Sequence, residues 1–168
     1  MTAINIDGLV FTFPVDWVVG KPDDWAFYRK QFIKIRSSVK STDALAIDVS
    51  GRTWVIEVKD YRNHARTKPS CLAEEVAAKV CDTLAMLLPA SVNANDAAER
   101  SLARNACSAN ALRVVLHLEQ PLKSSRLRPR SIDPAALLMK LKKLVKPVDA
   151  HPLIVERARM HGLAWSVV

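Results

Sequence analysis

Between Asp43 and Lys59 the chain reads Asp-Ala-Leu-Ala-Ile-Asp-Val-Ser-Gly-Arg-Thr-Trp-Val-Ile-Glu-Val-Lys, two short apolar runs joined at Ser50-Gly51. Ala44 to Ile47 and Thr53 to Val58 are rich in β-branched and aromatic side chains, and Ser-Gly is a turn dipeptide, so the segment is predicted to be a β-hairpin. Strand side chains alternate faces. Trp54, Ile56 and Val58 then point one way, while Val55, Glu57 and Lys59 point the other, which puts an acid and a base side by side. Folding about Ser50-Gly51 pairs Ile47 with Trp54 and brings Asp43 opposite Glu57 or Val58, according to whether the loop holds two residues or three. Asp48 lies beside the turn, roughly 13 to 17 Å of strand from Glu57 at 3.3 Å per residue. It is assigned to the turn, accepting hydrogen bonds from backbone N–H groups.

Both faces of the second run are apolar, so an uncompensated carboxylate or ammonium there would cost several kcal/mol. A divalent cation shared by Asp43 and Glu57 would offset that cost, with Lys59 placed to assist an attacking water. The blander alternative is a Glu and a Lys at a fraying strand end, reaching solvent beside Asp60.

An Asp at the start of one strand, followed by Glu/Asp-x-Lys in the next, resembles the signature of the restriction-endonuclease-like, or PD-(D/E)XK, nuclease superfamily. Asp43 matches its first acid and Glu57-Val58-Lys59 its second element, whereas Thr42 stands where the signature has Pro. The matching motif spans under a fifth of the chain. The resemblance implies an α/β fold of αβββαβ order, a mixed sheet flanked by helices. It also implies catalysis by Asp43, Glu57 and Lys59, with Mg²⁺ or Mn²⁺ held by the two acids. Members often add an acid from the first helix, and Asp24 or Asp23 is the acidic candidate in that region. Such a pair after Pro22 equally suits an N-cap and the helix dipole.

With 168 residues, the chain suits one domain over 1–168 with a single core. Hydrophobic residues make up 49% and charged residues 25%, which excludes long disorder. No 18-residue apolar run occurs and the first residues lack a signal-peptide pattern, so a cytoplasmic protein without membrane contact is expected. Cys71, Cys81 and Cys107 are odd in number and lack metal-ligand spacing, so they are expected as reduced thiols packed like small apolar groups. No Cys/His cluster suggests zinc. Oxygen ligands suit a hard cation. A Gly-rich phosphate loop and a contextual Ser/His/Asp pattern are also missing, which disfavours small-molecule enzymes of those types.

The formal net charge is +8, from 25 Lys and Arg against 17 Asp and Glu, which favours a polyanion such as nucleic acid, DNA foremost. Arg62, His64, Arg66 and Lys68 follow directly on the motif and are candidate phosphate contacts. Arg126, Arg128 and Arg130 form a second basic cluster in a turn-rich loop, where solubility alone would explain them equally well. A homodimer or a targeting partner protein fits an enzyme that lacks a recognisable sequence-reading module. A nuclease-like binding module without chemistry, serving a defence or repair assembly, is the competing function.

Along the chain, Ile4 to Phe13 reads as an edge hairpin turning at Asp7-Gly8 and stopped by Pro14. A helix from Asp23 to about Phe32 follows. Ser70 is expected to cap a helix through Leu88 that ends at Pro89, with Leu72, Val76, Val80, Leu84 and Leu87 as its apolar stripe. On another face lie Glu75, Lys79 and Asp82. Glu75 could assist the metal and Lys79 contact phosphate, or the two could form a surface ion pair worth tenths of a kcal/mol. Ser91 to Ala109 reads as a peripheral loop or weak helix. Leu112 to Leu118 is a strand at a sheet centre, with His117 a packing residue. Asp133 and Pro134 open a helix whose outer lysines, Lys140, Lys142, Lys143 and Lys146, read first as solvated surface and second as a nucleic-acid contact. Pro152 is expected to open a short helix ending at Gly162, before a final strand from Leu163 to Val168.

Overall fold

The computed structural model describes residues 1–121 and 131–168. Strands β1 (Thr2–Ile6) and β2 (Leu9–Phe13) form the expected hairpin, with Asp7 and Gly8 both at positive φ in its turn. Strand β3 (Val18–Gly20) leads to a 3₁₀ turn at Pro22–Asp24, helix α1 (Ala26–Lys30) and a second 3₁₀ turn at Phe32–Lys34. The central hairpin is β4 (Ala44–Ile47) and β5 (Arg52–Asp60). Helices α2 (Leu72–Asn93) and α3 (Ala97–Cys107) precede β6 (Ala111–Glu119), and α4 (Pro134–Val145) precedes β7 (Leu153–Val155) and β8 (Ser166–Val167).

The result is a mixed α/β fold in three layers. A five-stranded sheet of order β3-β4-β5-β6-β7 is antiparallel from β3 to β5 and parallel from β5 to β7. Helices cover one face, where Leu45, Val55, Val114 and Leu116 pack against Val76, Val80, Met86 and Leu141. The other face is covered by a second sheet, β1-β2-β8, rather than by further helices. Phe11, Phe13, Trp17 and Trp165 pack there against Trp54, Ile56, Val58 and Val115. Sheet alternation thus serves two cores with one strand: the even residues of β5 face the small sheet and Val55 faces the helices. Within its sheet β2 is central, so of the hairpin's two strands only β1 lies at an edge.

Several boundaries differ from expectation for reasons of packing. Helix α2 starts after Cys71, not Ser70, and runs through Pro89 to Asn93. The buried Met86, Leu87 and Ala90 around Pro89 outweigh the lost helical hydrogen bond. Helix α3 is capped by Asp96, whose carboxylate accepts the N–H of Ala98 and Glu99. It is no peripheral segment, because Leu102, Ala103 and Ala106 are buried against the rest of the helical core. Glu99 also reaches out of α3 to accept the N–H groups of Ala26 (2.6 Å) and Phe27 (3.1 Å), so α1 is capped from another helix rather than by Asp23 or Asp24. After Pro152 a strand, β7, pairs in parallel with β6 in place of a helix. The final strand shortens to Ser166–Val167. All three cysteines are free thiols; Cys71 is half-buried, but Cys81 and Cys107 are exposed instead of packed inside. Among the described residues no helix is long and apolar enough to cross a membrane.

Candidate functional site

The hairpin register is Ala44 with Ile56, Leu45 with Val55, Ala46 with Trp54 and Ile47 with Thr53, one residue from the expected pairing of Ile47 with Trp54. The cause is a three-residue loop, Val49-Ser50-Gly51. Gly51 sits at φ +74, and Asp48 and Arg52 close the pair through Asp48 N–H to Arg52 C=O, 3.0 Å. Asp48 belongs to this turn, accepting hydrogen bonds from the Ser50 and Arg52 N–H groups and from the Trp54 indole. Continued by one residue, the register sets Asp43 against Glu57. Asp43 Oδ2 accepts the N–H of Val58 at 2.6 Å, a charge-assisted bond that ties the first acid to the neighbouring strand.

Glu57 is 1% exposed. Its Oε1 accepts from Lys59 Nζ and lies 2.7 Å from Lys79 Nζ, and its Oε2 accepts from Lys79 at 2.9 Å. Lys79 Nζ also donates to Asp43 Oδ1 at 3.3 Å. One ammonium from α2 is therefore shared by both carboxylates. Burial pushes the Glu57 carboxyl up to about 7, the negative charge of Asp43 pushes the same way, and Lys59 and Lys79 pull it back only in part. At Lys79 burial pulls downward, but the charges of Glu57 and Asp43 outweigh it and the pKa is raised.

Glu57, Lys59 and Lys79 open into a cleft of about 260 Å³ whose walls also include Arg36, Lys40, Lys68, Glu75 and Asp82. Asp43, Glu57 and Lys59, which the sequence singled out, are thus brought together. Glu75 borders the cleft but is bound to Arg66 at 2.7 Å and to Ser70. Burial would raise its carboxyl, yet those hydrogen bonds and the nearby positive charges hold it at about 2. Arg62 is engaged by Asp60 at 2.6 Å and Arg66 by Glu75, so both guanidinium groups brace the loop after β5. His64 and Lys68 are exposed on that loop. Arg126, Arg128 and Arg130 lie outside the described residues. Asp24 is exposed and paired with Lys21 at 2.9 Å and with Arg29. Its neighbour Asp23 is the acid within reach of Asp43's field: burial, then the charges of Asp24 and Asp43, raise its pKa, and its buried Oδ1 has no hydrogen-bond partner.

Sequence reasoning missed two features. Lys79 was legible as a basic residue on the right helix, but its seat between the two acids depends on α2 packing over β5. Asp82 accepts from Arg36 and from the backbone N–H of Lys40 at 3.1 Å, fixing the segment that forms one wall of the cleft. Nothing local connects residues 36 and 82. His117 is fully buried, with Nε2 2.9 Å from Glu119 Oε1 and its ring edge-on to Phe11, the packing role expected of it.

The chain is similar to part of a cysteine–tRNA ligase from Neisseria meningitidis serogroup A / serotype 4A, with 28% identity over 208 residues. That match covers 99% of this chain and 30% of the ligase, so the chain spans less than a third of its relative's length. No family model matches, and no solved structure is significantly similar.

Proposed function

We propose that the chain is a metal-dependent nuclease of restriction-endonuclease-like fold. The observation that carries this reading is the convergence of Asp43 and Glu57, from antiparallel neighbours, on one ammonium in a cleft that also holds Lys59. The order of the central sheet supports it: three antiparallel strands, then helices, then a parallel strand. A departure is that α1 falls between β3 and β4 instead of preceding the first strand.

The donor set suits Mg²⁺ or Mn²⁺. Both carboxylates already present oxygens to a single cationic group, and Mg²⁺ is commonly held by one or two carboxylates together with water and substrate phosphate. Among the described residues no cluster of three or more His, Cys, Asp or Glu side chains could cage an ion; the two acids that would hold one here are Asp43 and Glu57, with water and substrate completing the set. When bound, such an ion polarises a phosphoryl oxygen and acidifies a coordinated water. Asp43 is positioned for this by the Val58 N–H, and Glu57 by a buried strand. Lys59 would orient the attacking water, and Lys79, once released from the carboxylates, would face the phosphate. DNA is the favoured substrate. Similarity to part of a tRNA ligase adds RNA to the substrates worth assaying. A second copy or a partner protein would supply targeting.

The test is nicking of plasmid, branched and single-stranded DNA, and of RNA, with Mg²⁺ or Mn²⁺. Asp43→Ala and Glu57→Ala should abolish cleavage and Lys59→Ala should lower it by roughly 100-fold or more. Undiminished cleavage by all three variants would remove these residues from the chemistry. One observation favours a second reading, a binding module without catalysis: Lys59 and Lys79 balance the two carboxylates in charge without any metal. Calorimetry with Mn²⁺ separates the two, because the module predicts no ion uptake that depends on Asp43 and Glu57.

A further inference from the structure

The cleft over Glu57 does not stand alone. It shares Lys59, Lys68 and Glu75 with an adjoining hollow of about 280 Å³ that Tyr61 and His64 help to line, so the two form one continuous groove. Helix α2 gives the groove its length. Asp82, which fixes the Lys40 wall, and Glu75, near Lys68, are seven residues apart on that helix. At about 1.5 Å per residue they are about 10 Å apart, with Lys79 and the carboxylates between them. Most cations along this path are engaged by acids: Arg36 by Asp82, Lys59 and Lys79 by Glu57, Arg66 by Glu75. Lys40 and Lys68 form no salt bridge among the described residues, although Lys68 lies in the field of Glu75, and they lie on opposite sides of Glu57.

On the reading that this groove handles nucleic acid, we infer that it is built for a single strand and not for a duplex. The hollow over Glu57, at about 260 Å³, falls just below the roughly 300–1,000 Å³ of small-molecule sites. A duplex, with two backbones and the stacked pairs between them, is broader than this hollow and meets its rim, so it cannot lower a backbone phosphate to a carboxylate that is 1% exposed. A single strand can. About 10 Å of groove accommodates a short stretch of extended strand, with one phosphate at Lys40 and one at Lys68. The planar groups of His64 and Tyr61 at one end offer a surface for an unstacked base, the combination of basic track and stacking platform by which single strands are held.

The experiment is fluorescence anisotropy with labelled oligo-dT, oligo-rA and a blunt hairpin duplex, in EDTA so that binding is read without cleavage. Single strands should bind at least tenfold more tightly than the duplex. Lys40→Ala and Lys68→Ala should each flatten the log–log salt dependence by about 0.7, and His64→Ala should weaken single-strand binding several-fold with the salt dependence unchanged. All three side chains are exposed, so the variants should fold, which thermal melting verifies. Equal or tighter duplex binding, no binding to any of the three probes, or salt dependences unmoved by both lysine variants would overturn the inference. Failure of the nuclease reading looks different: single strands would still bind in this manner while no metal produced cleavage.

Discussion

Replacing Glu57 by Gln separates the electrostatics of the buried acid from everything else that titrates. Carrying this carboxyl from its ordinary 4.5 to about 7 corresponds to about 3 kcal/mol at about 1.4 kcal/mol per pH unit. Between those values the folded chain keeps the proton and the unfolded chain has lost it. Wild-type stability therefore falls as pH rises through that window, by up to about 3 kcal/mol, and levels off above pH 7. The neutral amide of the variant carries no such dependence. The stability of Glu57→Gln relative to wild type should climb by about 3 kcal/mol between pH 4.5 and 8, or roughly 6–12 °C in Tm for a chain of this size. Glu75 contributes in the opposite sense and at lower pH: its stabilisation is present above 4.5 and lost as pH falls toward about 2. It is common to both proteins and cancels. Urea unfolding at half-unit pH intervals, with chelator present, gives the difference directly. A difference that stays constant within about 0.5 kcal/mol would show that Glu57 titrates normally and that burial does not govern it.

Three further outcomes follow from particular contacts. Lys79→Met removes the cation shared by two carboxylates and should cost about 3 kcal/mol in chelator, with part of the loss restored by Mn²⁺ in a thermal melt; a variant as stable as wild type would deny the ion pairs any structural role. Asp96→Ala should destabilise by about 1 kcal/mol through loss of the α3 cap, readable as a shift in urea midpoint at constant slope. Pro89→Ala should stabilise by roughly 1–3 kcal/mol, because it restores a donor inside a helix, and a lowered Tm would show that the ring's packing outweighs the missing hydrogen bond.

The central hairpin was legible because alternation, a glycine turn and apolar runs are local signals. They placed Glu57 and Lys59 on one face and Asp43 within reach before any tertiary contact was known. The loop length was open between two and three residues, and Gly51 at positive φ with the Asp48–Arg52 closure decides for three. Helix α3 was hard to see because small residues do its packing: Ala103 and Ala106 let it approach the neighbouring helix closely while contributing little apolar bulk. Strand β7 depends on parallel pairing with β6, which no local pattern encodes. The i,i+4 rule joined Glu75 to Lys79, but tertiary structure separates them, giving Glu75 to Arg66 and Lys79 to the strand acids. The small sheet behind the larger one was missed for the same reason, since β2 meets β8 from opposite ends of the chain.

With side chains of β5 locked alternately into two different cores, the strand that carries Glu57 has little freedom to tilt or slide. On the proposed nuclease reading, any adjustment during turnover would then come from what borders it: an ammonium on a long tether, and the surface loops at either end of the groove. The acids would act as a fixed anvil, with the substrate and the lysines moving to meet them.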